Sequence, residues 1–191
     1  MDKVKGFFIR VGFAYFTKPI VAAADAGACA YVTDVSLSGL TAGALTIAAQ
    51  PDYPRTVRAV LTDANGSITG GTVTVVGLDP NGVGVTDVIT FTGAGTVDGV
   101  QPFSKITSAT WALTEGTVTA TDDKVALGAG PALGLWGEPN MTFDRLVKGT
   151  FDGGDEAGTF SATYGTYTPA GTMDGAKAVE VLFLYKSQIP N

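Results

Sequence analysis

The sequence has no histidine and a single cysteine, Cys29, and these two scarcities exclude several kinds of active site. Without histidine there is no Ser-His-Asp or Cys-His catalysis, no histidine zinc site, and no imidazole for proton transfer near neutral pH. A single cysteine cannot form an intrachain disulfide. Cys29 has no cation nearby in the sequence to lower its pKa, so we predict a buried, inert side chain. Mechanisms that use only carboxylates, such as glycoside hydrolysis, remain open.

Long apolar runs are also missing, although 45% of the residues are hydrophobic and only 16% are charged. No segment approaches the roughly 20 apolar residues that span a membrane. The apolar run between Arg10 and Lys18 is too short for a signal peptide, so we expect a product made in the cytoplasm. The net charge is −6. Residues 1–24 carry four of the basic side chains and only one acidic one, so the rest is strongly acidic, which argues against nucleic acid as a partner.

Threonine, valine and isoleucine alternate with a two-residue period through most of the chain, which is typical of half-buried strands. No segment has a long amphipathic helical pattern, so the sequence predicts an all-β protein, an antiparallel β-sandwich or a barrel-like domain with an extended N-terminal arm. The predicted strands are 31–37, 44–48, 56–62, 72–77, 86–92, 104–113, 143–151, 159–164 and 177–185. The last is apolar on both faces, which predicts a place in the centre of a sheet or against another subunit.

Turn residues separate these strands at intervals of about a dozen residues, as in sandwiches and barrels. Residues 63–66 (Asp-Ala-Asn-Gly) predict a tight hairpin, and residues 79–82 (Asp-Pro-Asn-Gly) predict a type I turn followed by a left-handed glycine. The glycine-rich residues 128–137 predict an extended loop. The chain therefore divides into an N-terminal arm, 1–30, and a β-rich domain, 31–191, with a possible sub-boundary near 119–141.

The arm holds five of the sixteen phenylalanines and tyrosines, together with basic residues. It has two interpretations: an edge strand packed on its own domain, or an arm that docks on a neighbouring subunit. On the second interpretation, a capsid or subunit interface would be formed by Phe7, Phe8, Arg10, Phe13, Tyr15, Phe16 and Lys18. Trp136, in a loop, is an interface anchor or a cap on the core, whereas Trp111 is predicted to be a core residue.

No motif in the sequence predicts catalysis or a cofactor. The glycine-rich stretches lack the spacing that cradles phosphate. Asp152, Asp155 and Glu156 form the densest acidic cluster, which favours a solvated turn, with calcium binding through carboxylate oxygens as the alternative. We therefore expect no enzyme activity, no catalytic or metal-ligating residues and no cofactor.

Several segments between residues 50 and 175 resemble a recurrent pattern in virion structural proteins of tailed bacteriophages. The segments are QPDYPR (50–55), TVTVVG (72–77), DVITFTG (87–93), QPFSKITSATW (101–111), GTFS (158–161) and YGTYTPAGT (164–172). The resemblance points to capsid decoration (cement) proteins, which bind the outside of the phage head where capsomers meet. The N-terminal arm lies outside the pattern.

The resemblance implies a non-enzymatic homo-oligomer, with a trimer favoured, that binds the major capsid protein and stabilises the shell. The expected location is the virion capsid surface, after assembly in the host cytoplasm, with neither nucleic acid nor membrane as a partner. Two alternatives stay open. One is a phage tail, neck or fibre component, and the other is a carbohydrate-binding or host-adhesion β-sandwich module, which needs exposed aromatic residues beside polar side chains.

Overall fold

A computed structural model describes residues 7–16, 23, 29–119, 122–137 and 141–188, and all the regular structure within these ranges is β-strand. The strands are β1 (Phe7–Phe16), β2 (Val32–Ser36), β3 (Ala42–Leu45), β4 (Arg55–Thr62), β5 (Ile68–Leu78), β6 (Gly84–Phe91), β7 (Gly95–Asp98), β8 (Lys105–Gly116), β9 (Lys124–Gly134), β10 (Thr142–Phe151), β11 (Gly154–Glu156), β12 (Thr159–Ser161), β13 (Thr166–Thr168) and β14 (Val179–Gln188). The predicted all-β class is confirmed.

The strands of the described residues form three antiparallel sheets. The first sheet has the order β1-β14-β10-β11, and the third has the order β3-β8-β5-β6. The second has the order β12-β13-β9-β4-β7, and β2 also pairs with β9. Strands that are distant in sequence, such as β1 and β14, lie side by side, so both ends of the chain contribute to the first sheet.

The larger core lies between the second and third sheets, as in a β-sandwich. Alternate residues of each strand point into it: Val57, Ala59 and Leu61 from β4, and Val73 and Val75 from β5. Trp111 of β8 lies in the centre of this core and is 1% exposed, which confirms its predicted core position. The two-residue period of these strands therefore reflects one buried and one outer face.

A second core lies beneath the first sheet. The buried residues Val179, Val181, Phe183 and Tyr185 of β14 all point into it, and Leu133, Leu135 and Tyr167 pack against them. The opposite face of β14 is only partly buried. Since β14 lies between β1 and β10, its predicted place in the centre of a sheet is confirmed.

The prediction of a loop at 128–137 is wrong, because most of this segment belongs to β9. The register against β4 shifts between the pairs Arg55↔Leu133 and Val57↔Ala129, which marks a bulge around Pro131. A bulge is where a strand tolerates proline. A Cβ at Gly130 would collide with Thr56, so the glycine is needed for close approach of the two strands. The residues that suggested a loop are therefore those of a kinked strand, whose two halves enter different cores.

The two predicted turns have different outcomes. Residues 79–82 join the hairpin strands β5 and β6, and Gly82 has a φ of 78°, as expected. Residues 63–66 also form a turn, with Gly66 at 72°, but the predicted hairpin is wrong because the turn joins β4 of one sheet to β5 of another. Burial acts to raise the pKa of Asp63, and four backbone N–H donors outweigh it, so the pKa lies below its usual value.

Candidate protein-interaction face

The strand β1 is an edge strand of the first sheet. It pairs antiparallel with β14 along its whole length, from Phe7↔Gln188 to Phe16↔Val179. Among the described residues, β14 is its only strand neighbour. The first interpretation of the arm, an edge strand packed on its own domain, is therefore correct for residues 7–16. The second, docking on a neighbouring subunit, stays a prediction.

Alternate residues of β1 form an exposed apolar row. Ile9 is 65% exposed, Val11 64%, Phe13 58% and Tyr15 46%. The other face of the strand points inward, where Ala14 and Phe16 are buried in the second core. Surfaces of monomeric proteins rarely gather large apolar side chains in this way, and such patches mark interaction sites. We call Ile9, Val11, Phe13 and Tyr15 the apolar row.

The inner face of β1 explains why the row points outward. A Cβ at Gly12 would collide with the ring of Phe183, so this glycine lets the strand lie directly on a buried phenylalanine. Phe16 meets Tyr53 and Trp136 edge-on, with ring centroids 5.8 and 5.3 Å away. With Gly12, Ala14 and Phe16 held against the core, β1 must present its odd-numbered residues to solvent.

The neighbouring strands extend the apolar row and give it a polar border. Phe13 lies opposite Leu182 and Val11 opposite Leu184, both partly buried residues of β14. A hollow of about 130 Å³ lies beside Phe13. Its remaining lining residues are Lys148, Thr150, Glu180 and Leu182. An apolar centre with charged residues at its rim is the usual anatomy of a protein interface.

The predicted interface residues fall in different places. Phe13 and Tyr15 lie in the apolar row, and Arg10 is exposed on the opposite face of β1. Phe16 is wrong as a docking residue, because it is fully buried in the core. Phe7 and Phe8 belong to β1, but their side chains, like the whole of Lys18, lie outside the described part of the chain.

Trp136 is 37% exposed and packs edge-on against Phe16, so it covers the second core. Sequence reasoning missed Ile9 and Val11, because it selected aromatic and basic residues in the arm. The two-residue period used for the rest of the chain would have found both, since FFIRVGFAYF places them on the same face as Phe13 and Tyr15.

The acidic cluster is tied to neighbouring protein groups. The Glu156 carboxylate accepts hydrogen bonds from the Tyr167 hydroxyl at 2.8 Å and from the backbone N–H groups of Ala170 and Gly171. Burial and the bond to Glu156 raise the pKa of Tyr167. Asp155 forms a salt bridge with Lys148 at 2.8 Å. Within the described ranges, no three carboxylate or cysteine side chains converge as metal ligands.

A separate cleft of about 490 Å³ opens between the turn after β5 and the turn after β12. Its lining residues are Asp79, Asn81, Val83, Gln101, Met141, Thr142, Phe143, Ala162, Thr163 and Tyr164. The first turn is held by Asp79, whose Oδ1 accepts backbone N–H bonds from Asn81 and Val83 at 2.8 Å. The cleft combines an exposed tyrosine with several polar side chains.

Cys29 is buried, as predicted. No helix that could span a membrane occurs among the residues with a described structure. Comparisons of the chain with protein-family models, with curated proteins and with solved structures gave no match.

Proposed function

We propose that this chain is a virion structural protein of the capsid decoration type, which binds the outer surface of a phage head and stabilises the shell. The observation that carries the proposal is the apolar row on an edge strand, because it offers a surface that another protein can cover. The lack of histidine and of a reactive cysteine, together with the resemblance across residues 50–175, supports a role without catalysis.

The size of the apolar row indicates how such binding would work. An aromatic side chain buries roughly 150–250 Å², so the four half-exposed side chains offer on the order of 400 Å². At about 25 cal/mol per Å² this area is worth ~10 kcal/mol before costs. Association costs about 4–15 kcal/mol. One copy would therefore bind the capsid only weakly through this row alone. Stable attachment would need several linked copies.

Replacing Phe13 with glutamate in the phage that encodes the chain is expected to lower its copy number per virion at least about ten-fold. The change removes about 100 Å² of apolar contact and brings a charge into the interface, which costs more than the ~1.4 kcal/mol of a ten-fold effect. Quantitative mass spectrometry of purified virions measures the loss. Val88→Glu is the matched control, because Val88 is 56% exposed but lies in the third sheet.

Equal incorporation of the Phe13 variant and the control would contradict docking through the apolar row. Absence of the unmodified chain from virions would overturn the proposed function as a whole. A copy number in proportion to the capsid subunits supports decoration of the head by binding to the major capsid protein. A small fixed number would instead identify a tail, neck or fibre component.

The cleft between the two turns favours a second candidate, carbohydrate binding. Tyr164 is 38% exposed and lies beside Asp79, Asn81 and Gln101, so an aromatic face and polar groups converge as sugar recognition requires. If this candidate is correct, a glycan array detects binding by the isolated protein, and Tyr164→Ala abolishes it. Phe13→Glu, on another surface, is expected to leave the binding unchanged. Equal binding by both variants, or none by the unmodified protein, would reject this candidate.

A further inference from the structure

The free edge of β1 lacks the usual protections of an edge strand. Exposed edges are normally short, or carry charges or proline that prevent pairing with another chain. This strand is ten residues long, has no proline, and carries Arg10 as its only charge. Among the residues with a described structure, no strand covers its outer edge. Such an edge is a template for pairing with a further strand.

The strand is complementary to itself. In an antiparallel pair with its two-fold axis at Gly12, Ile9 lies opposite the partner's Tyr15, and Val11 lies opposite the partner's Phe13. All four members of the apolar row then meet members of the other row on one face of the sheet. A shift by one residue would place the row of one copy on the opposite face from that of the other.

The same register keeps the two arginines apart. It also places a glycine of each copy at the axis, so that no side chains separate the two backbones there. Arg10 lies opposite the partner's Ala14, so the two arginines are four residues apart, roughly 13 Å at about 3.3 Å per residue. That separation exceeds the screening length of about 8 Å at physiological salt. Gly12 opposes its own copy at the axis. Nine paired residues supply roughly eight to ten backbone hydrogen bonds, as many as a typical protein interface contains.

We propose that β1 pairs with β1 of a second copy about Gly12, which joins two first sheets into one continuous sheet of eight strands. The two apolar rows then lie side by side and offer on the order of 800 Å², about one partner's share of a standard interface. The pairing itself does not need a capsid. Its use as a doubled docking surface rests on the proposed function.

Two double variants test the register. Val11→Lys with Phe13→Lys places like charges opposite each other twice, whereas Val11→Lys with Phe13→Glu places opposite charges there. We expect sedimentation equilibrium to find a dimer for the unmodified protein and for the lysine–glutamate variant. The lysine–lysine variant should dissociate at least about ten-fold more easily. Registers centred on residue 11 or 13 would instead put like charges together in the lysine–glutamate variant.

A second measurement covers the case in which these variants do not fold. In a Cys29→Ser background, Val11→Cys and Phe13→Cys proteins are prepared separately, mixed and oxidised. Directly opposed residues have Cα atoms about 4.5–5.5 Å apart, which suits a disulfide. Random pairing of equal amounts would make about half of the disulfides mixed, so the 11–13 disulfide should form well above that share if residues 11 and 13 face each other.

A monomer at every concentration, a trimer, or equal dissociation of the two double variants would overturn the pairing. A random distribution of the three disulfides, with about half of them mixed, would do the same. None of these results bears on whether the chain is present in virions, so the pairing and the proposed function can fail separately.

Discussion

Replacing Arg55 with methionine is expected to lower the free energy of unfolding by about 1–3 kcal/mol, because a buried carbonyl oxygen is left without its hydrogen-bond donors. Arg55 is fully buried. Its Nε and Nη2 atoms donate hydrogen bonds to the Gly130 carbonyl oxygen, at 2.8 and 2.5 Å, and its Nη1 atom forms a salt bridge with Asp52 at 3.2 Å. Gly130 lies in the β9 bulge, where the donors of β4 cannot follow a regular ladder. Without Arg55, this buried carbonyl loses two hydrogen bonds.

Arg58 is the matched control, since it lies on the same strand and also pairs with an aspartate. Its Nε atom lies 2.6 Å from Asp98 Oδ1, but the two side chains are 21% and 36% exposed. Arg58→Met is therefore expected to cost less than about 1 kcal/mol. Urea unfolding followed by tryptophan fluorescence compares the two variants through their midpoints. Similar midpoints would contradict the role given to Arg55 in holding the bulge.

The sequence was informative where one strand faces one core. The alternation in β5, β6 and β8 predicts their positions to within a few residues, and the apolar residues on both faces of the final strand predict its place between two others. The kinked strand β9 was missed, because its Gly130 meets a requirement set by Thr56 of another strand. Nothing in the sequence around Gly130 indicates that contact, so the same residues predict a loop.

The candidate site could be predicted only in part, for a related reason. Composition identifies the arm as apolar, and Phe13 and Tyr15 were selected from it. The burial of Phe16 depends on Tyr53 and Trp136, which lie far away in sequence. The turn at 63–66 was identified from Asp63 and Gly66, yet the sheets that it joins are set by long-range strand pairing. Strand order depends on such long-range pairing and could not be predicted from a single sequence.

Replacing Trp111 with alanine is expected to lower the free energy of unfolding by about 3–5 kcal/mol, as large aromatic deletions in a core do. The ring lies 6.4 Å from that of Phe91 and fills the space over Gly71, where a Cβ would collide with it. The strands β5 and β6 are therefore shaped around this side chain, and neither can close the cavity by a small movement. The melting temperature should fall by about 6–20 °C in calorimetry, since 1 kcal/mol shifts it by about 2–4 °C in a chain of this size.

The other tryptophan provides the control for this prediction, because Trp136 is 37% exposed and its ring meets Phe16 from one side. Trp136→Ala is expected to cost about 1–2 kcal/mol, from one edge-to-face contact and partial burial. Trp111→Phe adds a further test, since the Trp111 Nε1 atom is buried without a hydrogen-bond partner among the described residues. Phenylalanine removes that unsatisfied donor and keeps most of the ring, so its cost should be well below that of alanine. If Trp111→Phe and Trp111→Ala were equally destabilising, or if Trp136→Ala matched them, the sandwich core would not be organised around Trp111.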